Sequence, residues 1–137
     1  MSDHESESPV VAALAAAKLR ALRTALLALH KAALDAERER YERAHGRIAS
    51  PHEALRLAMD DPWFAWLRPL ANLIVAADER LADDVPVTPA DVERLSTHIR
   101  GLLQLSLGGD GFRTEYQRTL QETPDVVIAH GKVLAVL

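Results

Sequence analysis

Between Pro9 and Gly46 the chain contains neither proline nor glycine, and its apolar residues fall into a regular step. Leu19, Leu22, Leu26, Leu29, Ala33 and Ala36 recur at alternating intervals of three and four. That step matches the turn of an α-helix, so these side chains form one continuous apolar seam. A second stripe, Leu27, His30, Leu34, Glu37 and Tyr41, runs beside it and turns polar toward its end. The alternating charges from Asp35 to Arg43 stand at helical spacing and support a helix in water. Ser8 and Pro9 supply a start, and Gly46 supplies a stop. A helix of about 36 residues is roughly 54 Å long at 1.5 Å per residue. The segments that follow are much shorter. Such a rod overshoots its neighbours, and its seam must stay bare, pair with another chain or be covered by a returning terminus.

The bulk of the chain is concentrated in Asp60-Asp61-Pro62-Trp63-Phe64-Ala65-Trp66-Leu67-Arg68-Pro69-Leu70, which holds both tryptophans. Aromatic residues are only 4% of the sequence, so Trp63, Phe64, Trp66 and Leu70 are the expected core. Asp61-Pro62 opens a helix that the spacing predicts over 62–82, apolar over most of its girth and therefore central in a bundle. Pro69 lies inside it and predicts a kink. Ser50-Pro51 with Glu53 starts a short helix before it, over 51–59, and Thr88-Pro89 and Thr123-Pro124 start two more after it. Gly108-Gly109-Asp110-Gly111 is a helix–helix linker; it lacks the lysine and hydroxyl of a phosphate loop. The expected fold is an all-α helical bundle: a long N-terminal helix, a central aromatic-rich helix and two to three shorter C-terminal helices. Residues 1–8 are expected to be a disordered polar tail and 9–137 a single domain.

The chain's 137 residues and 48% hydrophobic content suit one domain with a real core. A formal charge of −4 argues against a general affinity for nucleic acid or anionic lipid. The absence of cysteine removes disulfides, thiolate catalysis and cysteine-based zinc sites. No apolar run is long enough to span a membrane, and the acidic start is unlike a secretory signal, so the expected location is cytoplasmic. Heavy use of alanine, leucine and arginine fits a bacterial source.

The Asp-Pro-Trp-Phe-Ala-Trp-Leu-Arg-Pro-Leu stretch, followed by Asp78-Glu79, resembles segments of small all-helical bacterial proteins that carry no assigned activity. The resemblance covers roughly residues 20–82 and transfers no functional residue.

Few side chains suggest chemistry. Glu42-x-x-His45 has the spacing used in di-metal carboxylate bundles, but no second such pair exists, and a solvated helix end explains it. His30, bordered by leucines, is a candidate metal or ligand residue if His98 or His130 faces it. Arg68 and Asn72, which with Glu79 mark the polar strip of the central helix, are candidates for an anion or ligand if Arg68 is buried, because a buried arginine requires a partner. The favoured alternative is a snorkelling arginine whose stem covers the tryptophan rings. Serines and threonines mostly occupy caps, so no catalytic residue and no cofactor is expected. The sequence therefore favours a non-enzymatic protein acting through self-association or protein–protein interaction, with a homodimer through the N-terminal helix. The alternative is a ligand- or metal-binding bundle built on His30 and facing helices.

Overall fold

A computed structural model describes residues 3–104 and 111–137, with side chains from residue 9 onward. Among the described residues there are six α-helices and no strand. They are α1 (Asp3–His45), α2 (Pro51–Asp60), α3 (Arg68–Ala82), α4 (Pro89–Leu103), α5 (Phe112–Glu122) and α6 (Pro124–Val136). A 3-10 turn, Pro62–Leu67, joins α2 to α3.

The helix α1 is the spine. Its seam is buried as the spacing requires: Leu19, Leu22, Leu26, Leu29 and Ala33 are all closed to solvent. Most of that cover comes from α6 and α3, with α4 and the 3-10 turn adding the rest. The seam is thus consumed within the chain. What the overshoot leaves bare is Val10 and Leu14, at 65% and 67% exposure. Pro9 lies within α1 rather than at its first position.

The starts of α2 and α4 follow cap chemistry, whereas Thr123 holds the cap position of α6 without a side-chain hydrogen bond. The Ser50 hydroxyl accepts the Glu53 amide at 3.1 Å, and Thr88 and Asp91 form a reciprocal capping box. The stretch 62–82 departs from the expected kinked helix. Asp61 accepts the Trp63 amide at 2.8 Å, and the chain then winds as a 3-10 turn until the Arg68 amide donates to the Ala65 carbonyl. Pro69 has no N–H to donate back to Ala65 in α-helical register, so it stands in the first turn of a new helix, where that loss is harmless. The tighter turn also re-aims the rings. Phe64, Trp66, Leu67 and Leu70 are buried, whereas Trp63 is half-buried at the core's edge.

Trp66 begins an aromatic ladder. Its ring lies 5.9 Å from Phe112, which stacks on Tyr116 at 4.9 Å. The Tyr116 hydroxyl then meets His130 Nδ1 at 2.7 Å. The ladder ties the 3-10 turn to α5 and α6. Val126 and Val133 are buried and Leu137 is half-buried, so the C-terminal segment docks as its apolar composition suggests. Most of the glycine-rich linker lies outside the described residues; Gly111, at φ 77°, takes the left-handed turn before α5.

Candidate functional site

The helices α1 and α3 run in opposite directions. Arg23 of α1 ion-pairs with Asp78 late in α3, and His30, two turns further along α1, lies beside Arg68 at the start of α3. Side chains of α1, α2, the 3-10 turn and α3 line a common cavity there. The result is a groove of about 340 Å³. Phe64 and Leu67 from the 3-10 turn, with Ala71, give it an apolar lining. Leu55 and Met59 of α2 stand over it, exposed by 59% and 67%. His30, Leu34, Ala58 and Arg68 complete the lining. Two of the side chains singled out from sequence thus meet in one place.

Arg68 is exposed, as its place on the polar strip of this stretch suits. Asn72 is also exposed and does not line the groove. His30 is partly buried, and that desolvation lowers its pKa from the usual 6.5. Burial lowers His130 in the same way.

The sign of the pH effect follows. The unfolded chain takes up protons on these imidazoles near 6.5, whereas the folded chain resists until lower pH. Stability is then complete above the unfolded value and falls as pH drops through the folded values. Thermal melts between about pH 7.5 and pH 5 should show this loss, and His30→Leu should flatten the slope. An unchanged slope in that variant would show that His30 titrates alike in both states.

The other histidines do not converge on His30. His130 is bonded to Tyr116, and His98 lines a separate cleft with Arg80, Asp91 and Arg94. There Arg80 donates to Asp91, Val85 and Pro86 and is fully engaged. Glu42 accepts the Ile48 amide at 2.8 Å, which pins the loop after α1. His45 stacks on Tyr41 at 4.3 Å and meets Trp63 edge-on. Asp61, Asp78 and Asp83 serve as caps or ion-pair partners. Among the described residues no three histidines, aspartates or glutamates group as a metal site would need.

Sequence reasoning missed the most deeply buried charge. Glu37 is 1% exposed. It accepts from Arg118 of α5 at 2.7 Å and from Arg40 at 3.2 Å. Arg118 also holds Glu115 and Glu122, so one guanidinium links α5 to α1. The signal was present: Glu37 stands four residues after Ala33 and continues the buried seam.

Chemically, the groove offers an apolar surface, with one partly desolvated imidazole and one arginine in its lining. None of its lining residues is a carboxylate or a hydroxyl, so it assembles no nucleophile–base pair. Among the described residues no helix is long and apolar enough to cross a membrane. Comparison with known proteins finds no matching family model, curated protein or solved structure. A functional reading therefore rests on the site itself.

Proposed function

We propose that this is a non-enzymatic helical module that works by association, and that the groove between α1, α2 and α3 receives an apolar anchor from a partner protein. The observation that carries this reading is the pairing of two exposed side chains, Leu55 and Met59, with an apolar recess beneath them. Large apolar residues left in water over a concave surface suit a helix-in-groove contact. Methionine adapts to an incoming side chain better than a branched residue does. Self-association through the N-terminal helix is the narrower form of this reading, with Val10 and Leu14 as its available apolar residues.

The test is a photo-crosslinking amino acid placed at Met59 in the expressing cell. A discrete heavier adduct is expected, absent when the same group replaces the exposed Glu93 and lost when Leu55→Glu is added. No adduct at Met59, or the same adducts at both positions, overturns the reading. The alternative of a small ligand held by His30 draws support from the groove volume, which is at the lower end of small-molecule sites. Native mass spectrometry of the purified protein separates the two: a bound mass of a few hundred daltons favours the ligand.

A further inference from the structure

Helix α6 is apolar on its outer side as well as its inner one. Val126, Ala129 and Val133 face the core. Opposite them, Val127, Ile128, Gly131, Leu134 and Ala135 are all exposed. At 100° per residue these five fall within a sector of about 120°. That sector contains no charge. The only charged side chains of α6, Asp125 and Lys132, both lie along one edge of it, two turns apart. A helix apolar all round belongs inside a structure, yet this one stands at the surface.

Gly131 supplies an independent observation. It sits at the centre of the outer face, within a helix. A Cβ built there meets nothing within 4 Å, and its φ is not positive. Neither a turn nor packing within the chain needs a glycine at this position. Compared with alanine it weakens the helix by about 1 kcal/mol. A missing side chain at the middle of an apolar face permits close approach of another backbone.

We propose that this face joins two copies of the chain, α6 crossing α6 antiparallel about a twofold axis. The charges select both the partner and the direction. A twofold axis perpendicular to the helices sets each edge against itself in reverse order. Asp125 then meets the partner's Lys132, and Lys132 meets the partner's Asp125. The same register brings the two Ile128 side chains together at the twofold axis and sets Gly131 against the partner's Val127. A parallel pair would instead press the charged edge onto the partner's Val127 and Leu134. Among the described residues neither Asp125 nor Lys132 has an ion-pair partner, while the neighbouring Lys31 and Asp35 of α1 neutralise each other at 2.6 Å. The pattern is self-complementary, as an isologous contact requires. The face shares no residue with the groove between α1, α2 and α3.

Sedimentation velocity of the full chain at tens of micromolar tests the proposal. A dimer is expected. Ile128→Glu should raise its dissociation constant about thirty-fold or more with the melting temperature unchanged, because Ile128 touches solvent in the monomer. Asp125→Lys should weaken the dimer, and Asp125→Lys combined with Lys132→Asp should restore it. A monomeric wild-type chain overturns the proposal, as does a dimer that Ile128→Glu leaves intact. A charge swap without recovery excludes the antiparallel register. Met59→Glu should leave the mass unchanged; dissociation by that variant or by Leu14→Glu, with Ile128→Glu inert, places the contact elsewhere and overturns this assignment.

Discussion

Replacing Arg118 with alanine is expected to destabilise the protein by about 3–5 kcal/mol. The reason lies in Glu37. Its carboxylate is closed to solvent, and Arg118 provides the shorter of its two charged hydrogen bonds. Without the guanidinium, Arg40 at 3.2 Å is the cation still in reach. An ionised carboxylate that has lost most of its compensation in a dry site is far worse than no charge at all. The companion prediction separates that penalty from the net worth of the pair. With Glu37→Met and Arg118→Met together, the interior loses both charges and gains apolar bulk, so stability should return to within about 1 kcal/mol of the parent. Urea denaturation of the four proteins forms a double-mutant cycle. A loss below about 1 kcal/mol for Arg118→Ala would show that Arg40 and solvent compensate the Glu37 carboxylate without Arg118.

Trp66→Ala should lower stability by about 3–5 kcal/mol, whereas Trp66→Phe should cost less than about 1.5 kcal/mol. Alanine leaves a cavity next to Phe112 and removes the first ring of the ladder to Tyr116 and His130. Phenylalanine keeps a ring at that point and removes the indole N–H. That N–H is buried without a hydrogen-bond partner among the described residues, so its loss relieves a desolvation penalty. Thermal melts of both variants decide the matter. Equal losses from the two would mean that the indole nitrogen, not the ring volume, carries the contribution.

These two sites mark where the sequence is legible and where it is not. The seam from Leu19 to Ala33 and the caps at Ser50 and Thr88 can be read directly, because periodicity and capping are local chemistry. Burial of Trp66 follows from its size in a ring-poor chain. The trouble starts at 62–82, where apolar residues cover most of the helix circumference. Arg68, Asn72 and Glu79 form the narrow polar strip of that stretch, and Arg68 and Asn72 are exposed, but periodicity does not foretell that Arg68 meets His30 at one groove. Pro69 ends the 3-10 winding and restarts the helix, a backbone effect that side-chain spacing does not encode. The burial of Glu37 depends on an arginine 81 positions away. The groove is assembled from α1, α2, the 3-10 turn and α3, and no single segment of the sequence contains its shape.

The order in which the chain is made bears on the spine. During synthesis α1 is complete long before the helix that covers it most, since Pro124 follows His45 by about eighty residues. At roughly 5–20 residues per second, that gap corresponds to several seconds of translation. Through that interval a greasy, well-formed rod waits for its cover, with α3 and α4 arriving first as partial shelter. The dense opposite charges that close α1, from Asp35 to Arg43, then serve the nascent chain as much as the finished one. They keep the exposed rod helical and dissolved until its last neighbour emerges.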